Sequence, residues 1–424
     1  MIVLIGSFFV AVALGIPISI AIGVSSVLYL LLHGHVSFAV VAQQMTLGID
    51  SFPLLAIPLF LLAGLLMSEA QITPRIIRFA DAMVGRISGG LAMVMVISCM
   101  FFGAISGSGV ADVTAIGALM LPAMNAQGYR KGLSASLLGC AGSLGTIIPP
   151  SIVMIIIGVT TGTSIGKLYL GGIIPGVFTG LCLMGLAWFY AKRMSLPPGA
   201  PFSIKRMTTA FKEAFLSLLT PVIIIGGIVS GIFTATEAAA VASGYALVLG
   251  MMIYRTLPFS RLPSIFLEVV KTSGIVLFII SAAALFGWIL AAEQIPQQIA
   301  HFFLSITRDY YLLLILINFV FLLLGTFMET IAIIIICVPV FMPLVVQLGM
   351  DPVHFGVMVT VNLAIGANTP PVGVDLIAAC KVGQTSLDEA MGYIVPFVCI
   401  MAIALAMITF VPPSVTLIPN LFLK

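Results

Sequence analysis

Long apolar stretches alternate with short polar segments along almost the whole chain. Apolar runs long enough to cross a hydrocarbon core, which takes about 20 residues each, recur from the first residues to Phe410. No polar segment is long enough for a soluble domain of ordinary size. The pattern predicts one all-α membrane domain with many spans. The first run, Met1 to Leu32, lacks the basic start and cleavage site of a signal peptide, so we expect it to be the first membrane segment.

This first run is interrupted at Gly15-Ile16-Pro17. If the internal repeat described below extends to it, the turn corresponds to Phe233 to Glu237 between two later spans, and the N-terminus is external. Otherwise the run is one long, kinked helix. The sequence leaves both interpretations open.

Composition agrees with a lipid bilayer as the surroundings. Of the 424 residues, 61% are hydrophobic and 7% are charged, whereas about a quarter of the residues in soluble domains are charged. The formal net charge of +3 is too small to indicate a nucleic-acid partner, so none is expected. The six cysteines lie in or beside apolar runs without metal-site spacing, and we interpret them as small buried hydrophobes.

Lysine and arginine residues are confined to a few polar segments. The basic residues in these segments include Arg75, Arg78, Arg86, Arg130, Lys131, Lys192, Arg193, Lys205, Arg206, Lys212, Arg255, Arg261 and Lys271. The positive-inside rule places these segments in the cytoplasm. Segments 33–50, 160–164 and 351–354 carry no Lys or Arg, so we expect them to be external loops.

The apolar stretch from Leu91 to Met124 lies between two of the basic segments and is interrupted at Gly103-Ala-Ile-Ser-Gly-Ser-Gly109. Because both ends belong to the same side, the stretch predicts a re-entrant hairpin at about 89–125. Non-helical backbone at membrane depth occurs where it is buried in protein or lines a wet cavity, so the tip should face a site. A kinked pair of ordinary spans is the alternative.

The second half repeats this pattern with the opposite polarity. The stretch at about 310–346 is interrupted at Gly325-Thr-Phe-Met-Glu-Thr330 and is flanked by mostly acidic segments, so this hairpin should open outward. Gly145-Thr-Ile-Ile-Pro-Pro150 also matches Gly366-Ala-Asn-Thr-Pro-Pro371, with 366 − 145 = 221. We predict two inverted-topology repeats, 1–212 and 213–424, with broken helices at about 132–158 and 353–380.

Each proline pair should break its helix, because proline removes a backbone donor and clashes with the preceding turn. The break frees carbonyl oxygens, and a hairpin tip with Ser106 and Ser108, or with Thr330, lies beside each break in the repeat. Neutral oxygen ligands suit a hard cation, and paired broken helices hold coupling ions in carriers. The sequence therefore favours sodium sites. The alternative is that glycine and proline only permit tight helix packing.

Four acidic residues near the breaks, Asp112, Glu237, Glu329 and Asp375, suggest a proton relay as a competing idea. Asp112 either lines a polar substrate cavity or caps the second hairpin helix, and we treat it as a candidate substrate-binding residue. Glu329 and Asp375 are interpreted as structural hydrogen-bonders. Helix N-termini at the broken hairpins favour an anionic group, so a carboxylate substrate is expected.

Four motifs lie at the hairpin tips and the breaks. They are GAISGSGVADVTAIG at Gly103 to Gly117, GTIIPPS at Gly145 to Ser151, GTFMET at Gly325 to Thr330 and GANTPPVG at Gly366 to Gly373. Together they resemble the large membrane subunit of tripartite ATP-independent periplasmic (TRAP) transporters. The resemblance covers the whole chain. It implies an elevator-type, sodium-coupled carrier in the bacterial inner membrane, working with a small four-helix membrane subunit and a periplasmic substrate-binding protein. The expected substrate is sialic acid or a C4-dicarboxylate-like acid.

The resemblance also implies two sets of sodium ligands. The first set is Ser106, Ser108, Gly145, Ile148 and Pro150. The second set is Gly325, Met328, Thr330, Gly366 and Thr369. Met328 stands at the place that matches a serine of the first set, so only its carbonyl oxygen could serve as a ligand.

Three other functions compete with this interpretation. A stand-alone sodium/divalent-anion symporter would share the hairpins and broken helices but would need no binding protein. An intramembrane enzyme is not expected, because His33, His35, His301 and His354 are scattered and no HExxH or GxSxG pattern occurs. A channel is disfavoured because no ring of acids or repeated filter motif is present.

Overall fold

The computed structural model describes residues 2–33, 37–198 and 201–423. Within these ranges the chain consists of helices and the turns that connect them, which confirms the predicted all-α class. Nine helices in this part of the chain are long and apolar enough to cross a membrane, or up to ten if one bent pair forms a single span. His35 and part of the predicted external segment 33–50 lie outside the described residues.

The first half contains eleven α-helices. They are α1 Ile2–Ala13, α2 Ile18–His33, α3 Ala39–Ile49, α4 Ala56–Glu69, α5 Thr73–Val84, α6 Gly90–Ser106, α7 Gly109–Ala126, α8 Lys131–Gly142, α9 Leu144–Ile147, α10 Ile152–Thr161 and α11 Ile165–Arg193. The second half contains ten. They are α12 Ile204–Val229, α13 Ala235–Val248, α14 Leu262–Ala292, α15 Ile295–Ile306, α16 Tyr310–Phe327, α17 Thr330–Gln347, α18 Pro352–Gly366, α19 Val374–Gly383, α20 Leu387–Phe410 and α21 Pro413–Phe422.

The turn at Gly15 separates two helices rather than kinking one. Gly15 adopts a φ of +79° between α1 and α2, a conformation that glycine reaches without steric cost. The two helices pack against each other along their lengths. Of the two interpretations that the sequence left open, the structure supports the turn between separate helices.

The segment 33–50 was expected to be an external loop, but most of it is helical. Its position on the external side stays a prediction. Residues Ala39–Ile49 form α3, which packs against α14. Ser281 of α14 donates a hydrogen bond of 2.8 Å to the carbonyl oxygen of Met45. At 11 residues α3 is too short for a full span, and the run of apolar residues therefore did not stand out.

The two halves repeat the same local geometry. Gln71 precedes α5 with a φ of +57°, and Gln294 precedes α15 with a φ of +55°, at an offset of 294 − 71 = 223. A Cβ atom at Gly103 would lie 2.6 Å from the Cα atom of Gly145, and a Cβ atom at Gly325 would lie 3.0 Å from that of Gly366. Each hairpin therefore packs glycine against glycine on its own broken helix.

The hairpins and broken helices of the two halves also pack against each other. Helix α19 contacts α7 and α8, and α17 contacts α10, so elements of both repeats form one buried body. The predicted limit between the repeats, 212/213, falls inside the continuous helix α12. The limits of the repeats stay a prediction.

Candidate functional site

The tip of the first hairpin lies between Ser106, where α6 ends, and Gly109, where α7 begins. Gly107 turns the chain with a φ of +65°. Its carbonyl oxygen accepts a hydrogen bond of 3.3 Å from the backbone N–H of Ile152, at the start of α10. The first tip is therefore joined to the break that follows α9.

Ser106 and Asp112 form a buried pair at this tip. Ser106 is 1% exposed and Asp112 is 0% exposed. The Ser106 hydroxyl donates a hydrogen bond to Oδ1 of Asp112 and accepts one of 3.2 Å from the Ser108 N–H. Oδ2 of Asp112 has no hydrogen-bond partner among the described residues. A buried carboxylate oxygen without a partner is costly, so its position calls for an explanation.

The broken helix closes the other side of the pair. A Cβ atom at Gly145 would lie 2.2 Å from Oδ2 of Asp112, so only glycine fits there. Ile148 has extended backbone angles after α9. The carbonyl oxygens of Ile148 and Pro150 accept no backbone hydrogen bond in the described part of the chain. The structure thus places Gly145 and the Pro150 carbonyl oxygen against the first hairpin. That the five residues of the first set bind an ion stays a prediction.

The second hairpin tip repeats the connection. The carbonyl oxygen of Thr326 accepts a hydrogen bond of 3.1 Å from the N–H of Val372, which lies in the second break. A similar bond in the first half joins Gly107 and Ile152, with offsets of 326 − 107 = 219 and 372 − 152 = 220, close to but not the same as the offset of 221 between the proline motifs. Each hairpin is therefore bonded to its own broken helix, although not at matching positions.

The second ligand set gathers around this connection. Gly325 packs on Gly366, Met328 is extended and buried, and Thr330 opens α17. The Thr369 hydroxyl, in the break after α18, donates a hydrogen bond of 2.8 Å to the carbonyl oxygen of Ile365 in the last turn of α18. Because its proton is used there, the Thr369 oxygen keeps lone pairs for another contact.

Glu329 and Asp375 make structural hydrogen bonds, as the sequence analysis expected. Glu329 caps α17 by accepting bonds of 2.9 Å and 3.2 Å from the N–H groups of Ile331 and Ala332. Oδ2 of Asp375 accepts a bond of 2.6 Å from the Ser143 hydroxyl. Glu237 likewise belongs to a capping box with Thr234 at the start of α13.

A cavity of about 150 Å³ separates the two tips. Its walls include Gly107, Ser108 and Gly109 from the first tip and Met328, Glu329 and Thr330 from the second. A larger cavity of about 530 Å³ adjoins it and extends from Ser106 and Ser108 to Gln71 and Thr73. Among the described residues, neither wall carries a lysine, an arginine or a histidine.

Asp112 does not line either cavity. Its side chain turns away from them, toward Ser106 and Gly145. The structure also shows no side-chain cap from Asp112 on α7, whose N-cap residue is Ser108. The helix-cap role is therefore not seen in this structure, and substrate binding by Asp112 stays a prediction.

Sequence reasoning missed the link that Ser143 and Asn368 make. Asn368 donates a hydrogen bond to the Ser143 hydroxyl and another of 3.0 Å to the carbonyl oxygen of Ala364. Asn368 lies in the GANTPPVG motif, but its partner is 225 residues away and has no motif that identifies it. Asp375, an acid in an apolar part of the sequence, was the one residue that indicated a buried polar cluster at this place.

Two inverted repeats, each with a helical hairpin held on a broken helix around buried oxygen atoms, define a multi-pass membrane transporter fold. The crystal structure of the YdaH transporter of Alcanivorax borkumensis has a similar fold. The TM-score is 0.61 at 15% identity, covering 88% of this chain and 87% of that one.

The family model described as "Tripartite ATP-independent periplasmic transporter, DctM component" matches residues 5–414. The chain belongs to this family, which confirms the resemblance seen in the motifs. It is 41% identical to the sialic acid TRAP transporter large permease protein SiaM of Vibrio cholerae, covering 96% of each chain. It is 39% identical to the C4-dicarboxylate TRAP transporter large permease protein DctM of Pseudomonas aeruginosa, covering 94% of each chain.

A third relative is longer than this chain. The isethionate TRAP transporter permease protein DctMQ of Oleidesulfovibrio alaskensis is 41% identical over 97% of this chain, which spans 65% of that relative's length. All three relatives are named as transporter permeases, in agreement with the expectation that the chain is not an enzyme.

Proposed function

We propose that the protein takes up a small organic acid anion by coupling its entry to sodium ions held at the two hairpin tips. The observation that carries this proposal is the first tip, where hydroxyl and carbonyl oxygens surround a buried carboxylate oxygen without a partner. A sodium ion supplies a positive charge and accepts neutral oxygen ligands. The residues present therefore fit the ion, with Ser106, Ser108, Gly145, Ile148 and Pro150 holding it.

The second ion site would use Gly325, Met328, Thr330, Gly366 and Thr369. Met328 contributes its carbonyl oxygen only, and its backbone is extended there, so that oxygen does not take part in a helix. The similar hydrogen bonds from each broken helix to its hairpin support the proposal of two sites.

The substrate anion would occupy the cavity between the tips. The wall of this cavity has no basic side chain among the described residues, so the donors for a carboxylate are backbone N–H groups and hydroxyls such as those of Ser108 and Thr330. Helix α7 begins at the cavity, and the Ser108 side chain does not cap it. Its N-terminal N–H groups and helix dipole suit an anionic group. The named substrates of the relatives, sialic acid, a C4-dicarboxylate and isethionate, are all acids.

The substrate would be delivered by a periplasmic binding protein, and a small four-helix membrane subunit would complete the carrier. The family description, with its words tripartite and periplasmic, supports both partners. The relative DctMQ supports the second, because about a third of its length lies outside the region matched by this chain. The bacterial relatives and the nine candidate spans support a location in the inner membrane.

Transport would follow an elevator mechanism, in which the hairpins and broken helices of both repeats move together. Their mutual packing supports this, because it makes them one body. The 530 Å³ cavity extends from the first tip toward the basic, cytoplasmic segments, so we assign this conformation to the inward-facing state.

The substrate is identified by reconstituting the chain in liposomes with its two proposed partners and imposing an inward sodium gradient. Uptake of labelled sialic acid, a C4-dicarboxylate and isethionate is compared, each with its matching binding protein. Saturable uptake of one acid that needs the binding protein supports the proposal. Equal uptake without any binding protein would favour the stand-alone symporter instead.

A further inference from the structure

The carboxylate of Asp112 is buried without a cationic side chain to balance it. Two ion pairs occur among the described residues, Arg78 with Glu213 and Arg206 with Asp81, and neither involves Asp112. An ionised carboxylate in the interior costs several kcal/mol unless it is paired. An acid kept at full burial is therefore either protonated or balanced by a positive charge that the described side chains do not supply.

We propose that Asp112 supplies the negative charge that balances the sodium ion of the first tip and, through Ser106, orients one of the oxygen ligands. This inference rests on the proposed sodium coupling. It replaces the substrate contact expected for Asp112 with the role of a positioning and charge-balancing residue.

Oδ2 of Asp112, the carboxylate oxygen without a hydrogen-bond partner among the described residues, lies against Gly145. Oδ2 of Asp112 would lie 2.2 Å from a Cβ atom at Gly145 and 2.7 Å from one at Gly103. It thus lies against the glycine of the broken helix that belongs to the first ligand set. The two glycines leave the space that the carboxylate occupies.

The hydrogen bonds of Ser106 set the direction of its lone pairs. A hydroxyl has one proton and two acceptor positions. Here the proton is donated to Asp112 and one acceptor position is used by the Ser108 N–H. One lone pair remains, and the proton cannot turn toward a cation. Fixing a ligand's orientation by a carboxylate behind it is a common arrangement in metal sites.

The second tip has no equivalent carboxylate. Residue 334, at the offset of 222 that relates Ser108 to Thr330, is isoleucine. Glu329 accepts hydrogen bonds from the N–H groups of Ile331 and Ala332 and so caps α17, and its side chain is only partly buried. The charge-balancing role is therefore specific to the first site.

The test measures sodium binding rather than transport. The full-length chain, with its membrane subunit if the two co-purify, is heated in detergent while NaCl replaces choline chloride at constant ionic strength. We expect the Tm of the wild type to rise with sodium and to saturate. Asp112→Asn keeps the size and the acceptor for Ser106 but removes the charge, so it should shift the sodium midpoint upward by tenfold or more.

The Tm measured without sodium separates a charge-balancing role of Asp112 from a structural one. Without sodium, Asp112→Asn should be as stable as the wild type or more stable, because an unbalanced buried charge has been removed. Ser106→Ala should raise the sodium midpoint without raising the sodium-free Tm. Asp81→Asn, which removes a half-buried acid paired with Arg206, should titrate like the wild type.

Each remaining outcome is decisive. An unchanged sodium midpoint in Asp112→Asn overturns the inference, whatever the sodium-free Tm, and leaves sodium coupling intact. A wild type that does not respond to sodium overturns the proposed function itself. If Asp112→Asn cannot be purified, Asp112→Ala is measured in the same way. If both variants fail to fold with and without sodium, the carboxylate is needed by the fold and the inference is overturned.

Discussion

Ser143 donates a hydrogen bond of 2.6 Å to Oδ2 of Asp375, although the two residues lie 232 positions apart. Asn368 donates to the same hydroxyl, so one serine of the first half holds two polar side chains of the second. All three residues are buried. The link therefore fixes the two broken helices against each other beside the proposed ion sites.

Ser143→Ala should destabilise the protein, because it leaves the Asp375 carboxylate and the Asn368 amide buried without this partner. The expected cost is about 1–3 kcal/mol, the scale for a buried polar group that loses its hydrogen bond. The Tm in detergent measures it. Ser25→Ala is the control, because that buried hydroxyl bonds only to Ile22 in its own helix. Equal Tm values for the two variants would show that the link contributes nothing.

Ser106→Ala and Ser108→Ala should each weaken sodium activation of uptake. Removing one neutral oxygen from the cage costs about 1–3 kcal/mol, which is roughly a fivefold to hundredfold loss of affinity. Sodium activation curves should move to higher concentration while membrane expression stays near normal. Thr160→Ala serves as the control, since its hydroxyl bonds to Ile156 in α10. If both serine variants keep the wild-type sodium dependence, these hydroxyls serve only in packing.

Gly145→Ala should abolish transport and lower the Tm. The added Cβ atom would lie 2.2 Å from Oδ2 of Asp112 and 2.8 Å from its Cγ, so the carboxylate must move. Overpacking of this kind costs about 1–3 kcal/mol. Gly185→Ala in α11 is the matched control, because its Cβ atom would meet nothing within 4 Å. Normal uptake by Gly145→Ala would contradict the packed geometry of the first tip.

Arg86 and Lys131 should lie on the same, cytoplasmic side of the membrane. Both side chains are exposed and flank the first hairpin, and both belong to basic segments. In a chain without its native cysteines, Arg86→Cys and Lys131→Cys should resist an impermeant maleimide in intact cells and react in inverted vesicles. Reaction from opposite sides would remove the re-entrant hairpin and, with it, the first ion site.

The features that could be predicted from the sequence are those that short-range chemistry determines. The proline pair at Pro149-Pro150 must interrupt a helix, and the structure has its break there, between α9 and α10. The glycines around Gly107 predicted a tip, and Gly107 indeed has a positive φ. Two similar signals at a constant offset were enough to predict the repeated fold.

The features that were missed depend on tertiary packing. Helix α3 is 11 residues long, shorter than a span, and its position on α14 is set by contacts more than 200 residues apart in sequence. Asp112 was placed beside a substrate because acids in membranes are usually functional. That rule does not say which way the side chain points, and here packing against Gly145 turns it from the cavity.

The coupling of sodium to organic acid uptake is tested most directly by measuring both fluxes in the same proteoliposomes. The chain and its two proposed partners are reconstituted, an inward sodium gradient is imposed, and labelled sodium and labelled acid are followed together. We expect the acid to accumulate against its gradient, sodium entry to rise when the acid is present, and both to stop when an ionophore collapses the sodium gradient. Equal accumulation in potassium buffer with only a proton gradient would contradict the proposed function.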